Sequence, residues 1–236
     1  MSMEEPVFTL NLYETSRDLE RKLQEHGTSR MRRVTLEIGP RHEGDIVVEQ
    51  PTYFYVERFR FLADKLSPNL TQLAICTTGD DFLIKNLPAR AIGEILAQHA
   101  TTLRSLSFEG SMDFVGSYED IGFFADRIAS LACLIQFRLG DVWKEDFWID
   151  AVMHALNRIA TLEAISIKRG DVFWRREGIL RDLCTRGNTS NKERRDLSLV
   201  VEDDSGVIPP FVFAPNSRLT KLEVVDSSFE ELQMIR

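Results

Sequence analysis

The feature that most constrains this chain is a six-residue pattern in which the fourth and sixth residues are always apolar. It occurs eight times, and its copies begin at residues 7, 33, 70, 103, 134, 162, 194 and 219. The first residue is apolar as well, except in the copies that begin at Arg33 and Arg194. The residue between the fourth and sixth positions is never a large apolar one. Such alternation is typical of a β-strand with one buried face.

Segments with helical periodicity separate these strands. Thr15 begins a capping sequence, and apolar residues then recur three and four apart in six intervals. The stripes are Leu19 and Leu23; Val56, Phe59, Leu62, Ala63 and Leu66; Ile92, Ile95 and Leu96; Ile121, Phe124, Ile128 and Leu131; Val152, Ala155, Leu156 and Ile159; and Ile179, Leu180 and Leu183. The prolines of 202–218 exclude a long helix there. Residues 229–235, in contrast, have a composition that is typical of the start of a helix.

Strands that alternate with helices predict an α/β fold with a parallel sheet and right-handed crossovers. A helix is about 10 Å wide, whereas neighbouring strands lie about 4.8 Å apart. The stack must therefore curve into a solenoid, a horseshoe with parallel strands on its concave face and helices on its convex face. Because no unit can bury its apolar positions alone, stacking closes one core. We predict a single domain over residues 1–236 with about eight irregular repeats.

The strand pattern and its spacing resemble leucine-rich repeats of the ribonuclease-inhibitor type, in the irregular form found in the substrate-binding domains of F-box proteins. The resemblance covers nearly the whole chain from Val7 onward. It implies a leucine-rich-repeat solenoid that recognises another protein and is not an enzyme. The family commonly has asparagine or cysteine three residues after the sixth position. Here Val142 and Gly170 occupy two of those positions, so the turns are expected to be irregular.

One short segment, 87–96, is similar to the start of an F-box. It lies between two repeat strands and fits the register of an ordinary repeat helix, which is the interpretation that we favour. A separate F-box is not visible in the sequence.

The sequence contains no motif that predicts catalysis or cofactor binding. Phosphate-loop, dinucleotide-binding, zinc-protease and serine-hydrolase motifs are all absent from it. Its four histidines, His26, His42, His99 and His154, are scattered, and we place His42 in a loop. Its three cysteines, Cys76, Cys133 and Cys184, form no closely spaced pair. We therefore expect no catalytic residues, no cofactor, no metal and no disulfide framework.

Charge and hydropathy argue against a nucleic-acid partner and against insertion into a membrane. The net charge is -8, whereas nucleic-acid binders usually have a basic stripe, so we expect no nucleic-acid partner. The sequence has no run of 18 apolar residues, so we expect no membrane span. The first residues are acidic and lack the apolar core of a signal peptide. Together these features predict a cytoplasmic protein.

The side chains that alternate away from the buried positions form the expected concave face. They are polar and carry charges of both signs, which suits a protein partner, although any solvated sheet face has this composition. The predicted partner-binding residues are Gln72, Ser107, Glu109, Gln136, Arg138, Ser166, Lys168, Ser198, Lys221 and Glu223.

Two other groups of residues each have two interpretations. Acidic residues that follow the strands either form an electrostatic binding surface for a basic partner or occur there because they suit turns and helix starts. They are Asp80, Asp81, Glu109, Asp113, Asp141, Asp171, Asp203, Asp204 and Asp226. A set of aromatic residues either anchors an interface or fills the space between strands and helices. They are Trp143, Phe147, Trp148, Phe173 and Trp174.

Two classes of function remain open. The resemblance implies a scaffold or substrate-recognition module that binds another protein. The alternative is a structural repeat segment that self-associates, or that stacks on further repeats, through ends without evident capping units. In that case the chain would be part of a longer repeat array.

Overall fold

The computed structural model describes residues 6–39, 41–43, 46–48, 52–78, 85–140, 147–168, 177–185, 195–202, 217–225 and 232–235. Its strands are β1 (Val7–Asn11), β2 (Arg33–Ile38), β3 (Arg41–Glu43), β4 (Ile46–Val48), β5 (Gln72–Thr77), β6 (Lys85–Pro88), β7 (Ser105–Glu109), β8 (Met112–Val115), β9 (Gln136–Leu139), β10 (Ala164–Ile167), β11 (Leu197–Glu202), β12 (Leu219–Val225) and β13 (Leu232–Ile235). Its helices are α1 (Ser16–His26), α2 (Thr52–Ala63), α3 (Ala89–Gln98), α4 (Tyr118–Ala129), α5 (Phe147–Asn157) and α6 (Glu177–Cys184).

The main sheet has nine strands in the order β1-β2-β5-β7-β9-β10-β11-β12-β13. The first eight are mutually parallel, and only β13 runs antiparallel to its neighbour. Each helix from α2 to α5 packs against the next helix in the chain. The predicted α/β class with a parallel sheet is therefore confirmed, and the strands of the main sheet follow one another in the order of the sequence.

The two apolar positions of the repeat are buried, as predicted. No side chain at the fourth position is more than 5% exposed. At the sixth position seven side chains are buried, and Val224 is partly buried against the same core. That core also contains the stripes of the helices, so it is one continuous layer between sheet and helices.

The predicted register is wrong by two residues in the repeats that contain β1 and β2. Leu36 pairs with Ile75, not with Leu73, and Leu10 pairs with Leu36. The fourth position of the second repeat is therefore Val34. Its first position is Met31, which is fully buried, instead of Arg33.

The same two-residue shift applies to β11. Leu199 pairs with Ile165, and a bulge beside Leu197 brings that residue opposite Leu219. Because side chains alternate with a period of two, a shift of two residues leaves every side chain on its original face. The apolar pattern alone therefore cannot distinguish these registers.

Helix α1 begins as the sequence predicts. Thr15 is its N-cap, and its hydroxyl accepts a hydrogen bond of 3.2 Å from the backbone N–H of Asp18. Helix α4 begins with a reciprocal capping box between Ser117 and Asp120. Such caps satisfy backbone donors that the first helical turn leaves without partners.

Several elements differ from the sequence-based expectation. The predicted C-terminal helix is instead β13, in which Leu232 pairs with Val224 and Met234 pairs with Leu222. Leu232 and Met234 alternate with Gln233, which suits a strand, and the edge of β12 offers backbone partners. His42 lies in β3, not in a loop, and β3 pairs antiparallel with β4. A further parallel pair, β6 and β8, was not anticipated.

The segment 87–96 lies between two strands of the main sheet, β5 and β7, as expected. Leu87 and Pro88 end β6, and the helix α3 begins at Ala89. Leu87, Ile92 and Ile95 are completely buried in the core.

One predicted aromatic residue fills the interior. Trp148 is fully buried, and its ring centroid lies 4.8 Å from that of Phe114. Its indole Nε1 donates a 2.8 Å hydrogen bond to the Asp113 carboxylate, which is 5% exposed. For Trp148 the interpretation as core filling is confirmed, and Asp113 is not part of an exposed acidic edge. The side chains of the other four aromatic residues, and the remaining acids apart from Glu109, lie outside the described residues.

Arg218 is a fully buried arginine that joins three segments of the chain. Its Nε donates to the carbonyl of Leu183 at 2.7 Å. Its Nη1 donates to the carbonyls of Leu162 and Arg195 at 3.2 and 3.1 Å. A buried charge needs such partners, since an unpaired one costs several kcal/mol, on the order of 3–5.

Candidate functional site

The sheet face opposite the buried columns carries rows of polar side chains that come from successive repeats. In one row Arg33 pairs with Gln72, Gln72 pairs with Ser105, and Ser105 pairs with Gln136. In the adjacent row Thr35, Ala74, Ser107 and Arg138 pair in the same way. The parallel ladder therefore brings residues more than a hundred positions apart in sequence onto one surface.

A groove of about 240 Å³ lies on this face across β2, β5, β7 and β9. Its middle is formed by small side chains, those of Ala74, Ser105 and Ser107. Longer side chains flank them and form the rest of the lining, among them Arg33, Gln72, Glu109, Gln136 and Arg138. The groove thus exists because small residues of two neighbouring repeats are in register between larger ones.

On one side of the groove, the lining side chains form hydrogen bonds with one another and with Cys76. Arg33 Nε donates to Gln72 Oε1 at 2.5 Å. Ser107 Oγ donates to Glu109 Oε1 at 2.5 Å, and Cys76 Sγ donates to Glu109 Oε2 at 3.5 Å. Both oxygens of the Glu109 carboxylate therefore already accept a hydrogen bond.

The environment of Cys76 suppresses ionisation of its thiol. Burial, followed by the negative charge of Glu109 and the hydrogen bond to it, raises the pKa of Cys76 to about 12. Glu37, on the other neighbouring strand, contributes in the same direction. The thiolate is the nucleophilic form of cysteine, so Cys76 is a poor nucleophile at neutral pH.

The other side of the groove presents hydrogen-bond donors that no described residue engages. Arg138 and Gln136 are exposed on β9, and Ser105 is half-buried opposite Gln136 on β7. None of these three side chains has a hydrogen-bond or ion-pair partner among the described residues. A guanidinium, an amide and a hydroxyl can all donate to an acceptor that enters the groove.

Of the ten predicted partner-binding residues, half line the groove: Gln72, Ser107, Glu109, Gln136 and Arg138. Ser166, Ser198, Lys221 and Glu223 lie on β10, β11 and β12 in the same rows, and Lys168 directly follows β10. Lys221 and Glu223 form an ion pair at 2.6 Å. Ser107 is more enclosed than a surface residue, with 6% of its area exposed.

Sequence reasoning missed Arg33 as a groove residue. It assigned Arg33 to the first, buried position of a repeat, whereas the true register puts it on the outer row beside Gln72. The full burial of Met31 accounts for this, because Met31 supplies the apolar side chain that the first position requires. The signal in the sequence was the arginine itself, which is out of place at an apolar position.

Other chemistry-bearing residues lie apart from the groove. His26 is in the last turn of α1, with its ring 5.1 Å from that of Phe8. His99 caps the C-terminal end of α3 and is 1% exposed. Among the residues that the structure describes, neither of its ring nitrogens has a hydrogen-bond partner. Burial lowers the pKa of His99.

Within the described ranges, no group of three or more histidine, cysteine, aspartate and glutamate side chains could hold a metal ion. No helix in those ranges is both long enough and apolar enough to cross a lipid bilayer.

Comparison of the chain with protein-family models, with curated proteins and with solved structures gives no match.

Proposed function

We propose that this protein is a leucine-rich-repeat solenoid of the ribonuclease-inhibitor type, and that it binds another protein through the exposed face of its sheet. The repeat interpretation is supported by the sequential strand order and by the two buried apolar columns. The observation that carries the functional proposal is the groove on β2, β5, β7 and β9, beside which Arg138, Gln136 and Ser105 have no partners among the described residues.

The size of the groove favours a protein partner over a small ligand. Pockets for small molecules usually enclose about 300–1,000 Å³. The groove encloses about 240 Å³ and is lined mainly by polar side chains, so it accommodates one or two side chains of a partner. A specific interface buries about 800 Å² on each partner. The contact therefore extends beyond the groove, toward Ser166, Lys168, Ser198, Lys221 and Glu223.

A non-catalytic role is consistent with the chemistry of the groove. Glu109 is the acid of the lining, and both its oxygens already accept hydrogen bonds. The neighbouring thiol of Cys76 is held protonated. Binding is the role that the remaining donors support.

The test is a double charge reversal, Arg138→Glu with Glu109→Arg. Proteins of a native lysate are captured on the wild-type chain, on this variant and on a control that carries Arg158→Glu, and are quantified by mass spectrometry. Arg158 is an exposed residue that pairs with Asp126 of α4 at 3.0 Å. We expect a protein that is retained by the wild type and the control but lost from the double variant, and that shows saturable binding once purified.

The proposal fails if no captured protein binds saturably, or if every saturable partner binds the double variant as tightly as the wild type. Charge reversal at an interface removes an attraction and adds a repulsion. If a partner contacts the groove, its measured affinity must therefore change in the double variant.

A second candidate function is self-association, which the exposed edge of the sheet favours. Among the described residues β1 pairs on one side only, with β2, and Val7 is 50% exposed. An edge strand offers backbone groups to another strand, and lysine at an edge opposes such pairing. A dimer in light scattering that disappears on Thr9→Lys would favour this candidate, whereas a monomer at every concentration would exclude it.

A further inference from the structure

The charge of the groove is opposite to that of the chain as a whole. The chain has a net charge of -8. The described lining of the groove contains two arginines, Arg33 and Arg138, and one glutamate, Glu109. Glu37 lies just beyond this lining, beside Cys76, so the positive charge of the groove is concentrated on the β9 side, at Arg138. A positive group on an acidic protein attracts a negatively charged group of a partner and disfavours a basic one.

The hydrogen bonds divide the groove into an engaged side and an available side. Glu109 is turned toward Ser107 and Cys76, on its own strand and on β5. Arg138 lies on β9, the neighbouring strand on the side away from β5, and is directly opposite Ser107. Nevertheless, no ion pair joins Glu109 to Arg138 within the described residues. The guanidinium of Arg138 is therefore not neutralised by the neighbouring acid.

The available groups are all able to donate hydrogen bonds. Arg138 contributes a planar fork of N–H groups, Gln136 an amide N–H₂, and Ser105 a hydroxyl. A carboxylate has two oxygens and about four lone-pair directions, and arginine binds it with two parallel hydrogen bonds. Of the common side chains, aspartate and glutamate match this arrangement best.

We propose that the occupant of the groove is an acidic segment of a partner protein, in which an aspartate or glutamate carboxylate binds Arg138 and accepts from Gln136 and Ser105. The proposal rests on the proposed function, because it names the chemistry of the partner at the same groove. The small side chains of Ala74, Ser105 and Ser107 leave room for the backbone of that segment to approach the sheet.

The position of Arg33 adds a second feature to the expected segment. Arg33 and Arg138 lie on strands that are three apart in the sheet and are offset by two residues along the strands. These offsets correspond to about 14 Å and about 7 Å, so the two residues are about 16 Å apart. An extended chain advances about 3.4 Å per residue. A second acid about four or five residues from the first would therefore approach Arg33, which also donates to Gln72, while the first remains on Arg138.

The test uses an unbiased library of displayed random peptides, selected on the full wild-type chain. Selections run in parallel on Arg138→Glu, on Ala74→Phe, which fills the floor of the groove, and on Arg17→Glu. Arg17 is exposed in the first turn of α1, where an acid is favourable, so this last variant matches the charge change away from the groove. Circular dichroism and urea unfolding first establish that all four proteins are folded.

We expect the peptides that bind the wild type and Arg17→Glu to be enriched in aspartate and glutamate, with pairs about four or five residues apart. A synthetic peptide of this kind should bind Arg138→Glu and Ala74→Phe at least about tenfold more weakly, as for a central interface contact. Its affinity for the wild type should fall with added salt.

The outcomes separate the two proposals. Groove-dependent peptides that are neutral or basic would overturn the acidic segment and leave the binding function standing. Peptides that bind all four proteins equally would overturn both, because nothing would then use the groove.

Discussion

Replacing Leu106 with alanine tests the physical claim on which the fold depends. Leu106 is completely buried at the centre of the sheet, paired with Leu73 on one side and with Phe137 on the other. The substitution removes three carbons, worth about 0.8 kcal/mol each when buried. The neighbouring strands are held by ladder hydrogen bonds, so they cannot close the cavity completely. We expect unfolding to become easier by about 3–4 kcal/mol, in the upper part of the range for leucine-to-alanine changes.

The measurement is urea unfolding followed by circular dichroism, with the midpoint and the slope compared between proteins. The slope should stay close to the wild-type value, since the surface exposed on unfolding changes little. The matched control is Ser105→Ala on the same strand, whose side chain faces the groove, and we expect it to change the free energy of unfolding by less than about 0.5 kcal/mol.

A loss of less than about 1 kcal/mol for Leu106→Ala, or an equal loss for Ser105→Ala, would contradict this expectation. Either result would mean that the two faces of β7 are not divided into a buried and an open side.

Three further predictions follow from buried or partly buried polar groups. Arg218→Met should lower the free energy of unfolding, measured in urea, by about 2–4 kcal/mol, because three backbone carbonyls lose their hydrogen-bond donor. An unchanged urea midpoint would show that the apolar methionine side chain compensates for the lost hydrogen bonds. Burial lowers the pKa of His99 below its value in the unfolded chain, which is about 6.5. The folded state therefore favours the neutral imidazole, and its full stability is present above about pH 6.5. Stability is lost as the pH falls through and below that value. His99→Leu should flatten this part of the pH–stability curve, and an equally steep curve in the variant would refute the assignment. Glu109→Gln should lower the pKa of Cys76 from about 12 and so accelerate alkylation of its thiol by iodoacetamide. The alkylation rate is measured by mass spectrometry. An unchanged rate would mean that burial alone protects the thiol.

The strands and helices were predictable because their signals are local. The period-two alternation around Leu73 and Leu106 and the helical stripe at Ile121, Phe124 and Ile128 report which face is buried, whatever lies across from them. The capping role of Thr15 is equally local, since it involves only the next three residues.

The C-terminal strand β13 shows where this local reading ends. The segment from Leu232 is too short for its periodicity to separate a strand from a helix. Its conformation is decided by pairing with β12, a partner whose presence no local pattern reports.

The local pattern therefore shows which residues point into the core and which point away, and with them the composition of the face that holds Gln136 and Arg138. The register of β2, the hydrogen bond between Trp148 and Asp113, and the groove cannot be read from it. Each of these depends on residues that are distant in sequence and meet in space, and a two-residue slip of a strand leaves its own pattern unchanged.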